Sequence, residues 1–181
     1  NDEITIFLRN YSPQDLFLIL SYEKNKSFEL LSLDEAFKKV IEDGHAIGNH
    51  TYNHVNGWHT PNKLYFENTA LTEEALTDNG VTQDSTKLFR PPYGKKLVLL
   101  PLYLANSNRT NIMWDIAPET FGEDSEDPQT MATEVLEQVE PGSIVLLHLM
   151  YKNREASRAA LPLILKGLKD KGYRMVTLSE L

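Results

Sequence analysis

Short apolar runs alternate with amphipathic stretches along the chain. "EITIFL" (Glu3 to Leu8) is apolar and rich in β-branched residues, and predicts a buried strand. Leu16 to Leu20 is too short for its periodicity to separate strand from helix. From Ser32 to Gly44 a helix is predicted. Leu33, Ala36, Phe37, Val40 and Ile41 share one face, Ser32 and Glu35 have capping-box spacing, and Gly44 supplies the stop. "HAIGNH" predicts a short strand ending at His50, and a weaker helical pattern covers about Lys63–Asp78 before Gly80. "KLF" predicts a strand leading into "RPPYG", and "TNIMWDI" a longer one. Asp127-Pro128 reads as an N-cap followed by Pro at N1, opening a helix to about Gln138. "SIVLLH" is almost wholly apolar and predicts a strand covered on both faces. A long amphipathic helix to about Asp170 and a last strand, "YRMVTL", complete the pattern.

Strand and helix in alternation predict a parallel α/β protein, and six or seven strands fit either an open doubly wound sheet or a barrel. No repeat, low-complexity segment or linker divides the 181 residues, so a single domain over residues 1–181 is expected. Neither a G-x-G-x-x-G nor a G-x-x-x-x-G-K-[ST] loop follows any strand, which removes the main support for nucleotide binding. The formal net charge of −8 disfavours nucleic acid as a partner. The acidic stretch "ETFGEDSED" reads as a solvated loop. No apolar run approaches the roughly 18–20 residues of a membrane span. No signal peptide is visible, which a mature exported chain would share. With no cysteine, any metal must be held by histidine and carboxylate.

Four polar residues close predicted strands: His50, Arg90, Asp115 and His148. Carboxyl ends of parallel strands converge on the ligand site in barrels and open sheets alike. His50 and His54 have H-x-x-x-H spacing, which on a helical turn brings both imidazoles to one ion. No Glu follows the first histidine, so the H-E-x-x-H protease motif is absent. His45 reads as a turn residue and His59 as a loop residue. His148, closing an apolar run, is either a buried hydrogen-bonded residue or a general acid/base. Arg90 enters a stiff Pro-Pro turn, and pairing with a buried acid is its structural alternative.

Taken together these stretches resemble the polysaccharide deacetylases of carbohydrate esterase family 4, the NodB-homology domain. "GHAIGNHTYNH" looks like the family's H-[ST]-x-x-H metal motif, and "RPPYG" like its R-x-P-[YF] motif. "MWDIAPETF" is similar to the fourth motif, and "GSIVLLH" with "GYRMVTLSEL" to the fifth and the family's ending. The resemblance covers roughly Leu33 to Leu181. It implies a distorted (β/α) barrel of about seven parallel strands, a divalent metal, most commonly Zn²⁺, and hydrolysis of N-acetyl groups on chitin or peptidoglycan. It implies a secreted or envelope-associated protein acting on an N-acetylated polysaccharide. Carried over, His50 and His54 match the metal histidines, with Thr51 the small hydroxyl residue between them. Tyr93 matches the residue whose backbone N–H helps hold the oxyanion, Arg90 the arginine that orients the base, and His148 the general acid.

The first motif departs from the family. Its Asp-Asp pair, third metal ligand and base, has no counterpart anywhere in the chain. Either "ITIFLRN" is its remnant, with Arg9 and Asn10 in the aspartate places, or "ITIFL" is the second strand and the first is missing. Asp2 and Asp15, the only aspartates near the start, are the candidates for a substitute ligand. In the fourth motif Ala117 stands where the family has the aspartate that tunes the acid, and Phe121 where it has Trp. Asp115 is then the candidate partner of His148. The alternative function is a glycan-binding or structural module on the same fold.

Overall fold

A computed structural model of the chain describes residues 5–8, 42, 46–81, 87–120, 127–149, 154–176 and 178. The expected helix at Ser32–Gly44 apart from Glu42, the run at Leu16–Leu20, and Asp2, Arg9, Asn10, Asp15, His45 and Phe121 lie outside those residues. Two compact units hold the described chain. Of the described residues, one takes 5–8, those from 42 to 113, 176 and 178, and the other takes those from 114 to 175.

In the first unit the strand expected from "EITIFL" is β1, Thr5–Leu8, and "HAIGNH" gives β2, Ala46–Asn49. Helix α1, Asn62–Asp78, follows and leads to β3, Leu88–Phe89. A short helix α2, Leu100–Asn106, then leads to β4, Thr110–Asn111. The four strands are parallel and lie in chain order, β1-β2-β3-β4. Sequential order without a reversal is that of a barrel wall, whereas a doubly wound sheet reverses at its switch point.

Helix α1 ends as its sequence foretells. Gly80, at φ 85°, and Val81 return their N–H groups to the carbonyls of Thr77 and Leu76. Its buried face pairs Tyr65, Thr72 and Leu76 with Asn68 and Thr69. Tyr65 joins Phe89, Leu97, Leu100 and Leu104 in one core, with Phe66 stacked on Tyr103 at 4.2 Å. Truncating Phe89 to Ala there would cost roughly 3–5 kcal/mol. The polar part of the face braces the loop after β2. Tyr52 N–H donates to the Asn68 carbonyl at 3.0 Å, and Asn53 N–H to Asn68 Oδ1 at 3.0 Å.

The second unit is built on two helices, α3 (Pro128–Gln138) and α4 (Glu155–Asp170). Asp127 caps α3 as expected, accepting from Thr130 N–H at 2.8 Å. Met131, Ala132 and Val135 pack on Ala160, Ile164, Leu168 and Ile116. Gly167 permits this approach, since a Cβ there would lie 2.3 Å from Leu136 Cδ1.

The expected strands "TNIMWDI" and "SIVLLH" are much reduced. The first is a ladder only at Thr110–Asn111, and the two runs then meet in one parallel bridge, Ile116 with Val145. Among the described residues, segment 144–146 pairs only with 115–116, and residues 143–149 are half-buried. An apolar run shows that a segment is covered. It does not show that a backbone ladder lies on each side. "YRMVTL" forms no ladder among its described residues.

Candidate active site

His50 and His54 stand on a loop, not on the helical turn that their spacing invites. The loop is held by its own side chains. Asn49, fully buried, accepts from Thr51 N–H at 3.0 Å and donates to the Thr69 carbonyl at 2.9 Å. Thr51, also fully buried, accepts from Val55 N–H through its hydroxyl at 3.2 Å. Thr51 and His54 have φ of 62° and 52°. Left-handed backbone is a genuine outlier for a β-branched residue such as Thr51. The result is that the two imidazole rings meet edge to face, with centroids 4.9 Å apart.

Strand β3 supplies the other wall. Arg90 N–H donates to the Asn49 carbonyl at 2.9 Å, and the Arg90 carbonyl lies 2.6 Å from His50 Nδ1. A carbonyl only accepts, so His50 carries a proton on Nδ1, and in the neutral ring the lone pair is then on Nε2. The Arg90 side chain is buried, and Nη2 donates to the Met113 carbonyl at 3.4 Å. Burial lowers its pKa to about 10, which leaves it charged at neutral pH. The turn Pro91–Gly94 follows, closed by Gly94 N–H on the Pro91 carbonyl at 3.1 Å, with Tyr93 at φ 59°. The Tyr93 ring lies against His54, centroids 4.6 Å apart. Among the described residues, three of the four non-glycine residues at positive φ, namely Thr51, His54 and Tyr93, therefore sit in these two adjoining loops. His59 is an exposed loop residue, as expected.

The second unit carries His148. Its ring Nδ1 is hydrogen-bonded to Glu119 Oε2, and its backbone N–H donates to Glu119 Oε1 at 2.8 Å. Ser157, buried at the start of α4, donates its hydroxyl to the same Oε1. The Glu119 side chain is only 2% exposed. Burial by itself raises its pKa. The hydrogen bonds from the His148 ring, Ser157 and the His148 backbone, with the charge of His148, outweigh that and hold the carboxyl below its ordinary range. Asp115, the expected partner of His148, is elsewhere engaged. Its exposed Oδ2 accepts from Ile144 N–H at 2.8 Å. Asp115 with Ile144, Ile116 with Val145 and Glu119 with His148 all keep the same offset of 29 residues. The register that places one pair places the others.

The family model for polysaccharide deacetylase matches residues 5–112. The chain belongs to the polysaccharide deacetylases. These are hydrolases of carbon–nitrogen bonds. The matched segment contains His50, His54, Arg90 and Tyr93, while Glu119 and His148 lie beyond it. Two peptidoglycan-N-acetylglucosamine deacetylases of Bacillus cereus are similar. One is 30% identical over 94% of this chain and 81% of its own length, the other 32% identical over 94% and 63%. The chain thus spans less than two thirds of the second. Among solved structures, the Bc1960 peptidoglycan N-acetylglucosamine deacetylase in complex with 4-naphthalen-1-yl-N-oxidanyl-benzamide superposes with a TM-score of 0.75. It is 30% identical over 82% of this chain and 68% of that one. The α/β fold of the family 4 deacetylases, expected from the sequence, is therefore the fold of this chain.

Proposed function

We propose that this polysaccharide deacetylase removes N-acetyl groups from an amino-sugar polymer of the peptidoglycan type, with Zn²⁺ held by His50 and His54. The observation that carries the reading is the His50 Nδ1 contact with the Arg90 carbonyl. A second partner that fixes the tautomer is what metal-ligating histidines ordinarily have. The neighbouring His54 ring supplies a second nitrogen donor of the type that Zn²⁺ prefers. Among the described residues no three histidine or carboxylate side chains gather at one point, and the third ligand and the general base are left unassigned. A metal bound there supplies Lewis acidity to the acetyl carbonyl and acidifies a water.

The chain's own groups divide the remaining work. Water adds to the acetyl carbon, the C–N bond breaks, and acetate and the free amine leave. Tyr93 is the third residue of its turn, whose N–H the turn's own hydrogen bond does not use. That N–H is the proposed donor to the developing oxyanion. Arg90 is the buried cation that orients the base. His148 holds its Nδ1 proton on Glu119 and presents Nε2, from which the leaving nitrogen takes its proton. A polymer of this kind places the protein at the cell envelope. No described helix is long and apolar enough to cross a membrane.

The test is acetate release from N-acetylated peptidoglycan and from chito-oligosaccharides by the full chain with added Zn²⁺. No acetate from either, under conditions in which an active family member releases it, ends the proposal.

A further inference from the structure

The loop that carries His54 runs on into an open groove of about 560 Å³, lined by Gly57, Trp58, Thr60, Asn62, Lys96 and Val98 among others. Volumes of this order are typical of small-ligand sites. Trp58 is 67% exposed there, unusual for the largest apolar side chain. It is also fixed. Trp58 N–H donates to Asn56 Oδ1 at 2.9 Å, and the Asn56 carbonyl accepts from His59 and Thr60 N–H at 3.1 and 3.0 Å. Gly57 lies so close to the facing segment that a Cβ would come within 2.4 Å of the Lys95 carbonyl. The Lys95 ammonium stands 4.7 Å from the centre of the Trp58 ring. The segment that seats the Tyr93 ring against His54 thus also meets Gly57 and Trp58 through Lys95, so the groove and the proposed acetyl site are built from the same two adjoining loops.

We infer that this groove is a saccharide subsite adjoining the acetyl site, where Trp58 stacks on a sugar ring and Lys95 and Lys96 meet a carboxylate borne by the polymer. The inference rests on the deacetylase reading and sharpens it. An exposed indole on a braced loop suits the apolar face of a pyranose, because the loop loses little freedom on binding. Thr60 and Asn62 offer hydrogen bonds to its rim. Two adjacent cations on a chain of net charge −8 select for a saccharide with acidic substituents over a neutral one.

The experiment is calorimetric titration of the full chain, freed of metal, with chitotetraose and with a peptidoglycan tetrasaccharide carrying free lactyl carboxylates. The wild type is expected to favour the acidic sugar. Trp58→Ala should weaken both by about tenfold, the effect of one modest aromatic contact. Lys95→Gln with Lys96→Gln should weaken the acidic sugar alone and flatten its salt dependence. Unchanged affinities in Trp58→Ala overturn the subsite, and equal losses for both sugars in the lysine variant overturn its charge selectivity. Trp58→Phe, which keeps a smaller aromatic face, should fall between wild type and Ala. Circular dichroism checks that each variant is folded. Acetate release is followed separately. If it is absent while binding depends on Trp58, the activity fails and the subsite stands. Acetate release with the same KM in Trp58→Ala has the opposite meaning.

Discussion

His50, directly after β2, and His148, three residues past the Val145 bridge, both have an Nδ1 that meets an oxygen, and they differ in what that oxygen is. Behind His50 stands a neutral backbone carbonyl, that of Arg90. Behind His148 stands a buried carboxylate, that of Glu119. A carbonyl fixes the tautomer but adds no charge, so it suits a ring that must stay neutral and offer a lone pair to a cation. A carboxylate sets a negative charge against the ring, so it suits one that carries and hands on a proton. The surroundings follow the same division. The His50 loop is held by Asn49 and Thr51 side chains bonded to backbone groups, whereas His148 is held on a carboxylate that also accepts from the Ser157 hydroxyl.

The sharpest way to break this contrast is to remove each ring. His50→Ala is expected to abolish acetate release, by about a thousandfold or more, together with bound zinc measured by mass spectrometry. His148→Ala should lower kcat by about 10²–10⁴ and keep the zinc, as loss of an acid catalyst does. If both variants lose zinc equally, the two roles are not separate.

Glu119→Gln comes next. It keeps the shape but removes the charge, and kcat should fall by about one to two orders of magnitude with zinc retained. The pH dependence of stability has a definite sign. Glu119 has a folded pKa below its unfolded value of about 4.5. The stability it contributes is therefore complete above that value and is lost as the pH falls through the folded pKa. Urea melts of wild type between pH 6 and 3 should lose more stability than those of Glu119→Gln. Parallel losses would mean that Glu119 is not the group responsible.

In the His50 loop, Thr51→Ala should destabilise the protein by about 1–2 kcal/mol, since Val55 N–H loses its buried acceptor. Thr51→Gly removes the same hydroxyl but tolerates positive φ, so it should cost less than Ala. A larger loss for Gly than for Ala, by chemical denaturation, would show that backbone strain at Thr51 is not a material term.

Much of this was legible in the chain. The strand in "HAIGNH", the Gly80 stop of α1, the Asp127-Pro128 start of α3 and the amphipathic α4 are local signals, and local physics decided them. The meeting of His50 with His54 was legible in outcome but not in cause. The spacing suggests a helical turn, while the rings are joined by a loop whose positive φ at two non-glycine residues no sequence rule foretells. Helix α2 was missed because "LVLLPLYLAN" is apolar nearly all round, and Val98 and Leu102 prove exposed. Glu119 was missed because its partner lies 29 residues away and depends on a register between segments that form a single bridge. The available clue was an acid in "APET", four residues past Asp115.

The smallest expected effect tests that last distinction most directly. Asp115 and Glu119 lie on one short stretch, and either one satisfies the idea of an acid near His148. In the structure Asp115 is exposed, and its carboxylate accepts a backbone N–H from Ile144. An exposed bond of this kind contributes about 0.5–1.5 kcal/mol, and Asn retains an acceptor oxygen for it. Asp115→Asn should therefore cost less than about 1 kcal/mol in a urea melt. It should leave kcat, KM and the pH profile of acetate release where the wild type has them. A fall in kcat comparable to that of Glu119→Gln would move the proton-transfer role back toward Asp115. It would also show that the shared register, which carries Asp115 to Ile144 and Glu119 to His148, couples the two carboxylates more tightly than their separate hydrogen bonds imply.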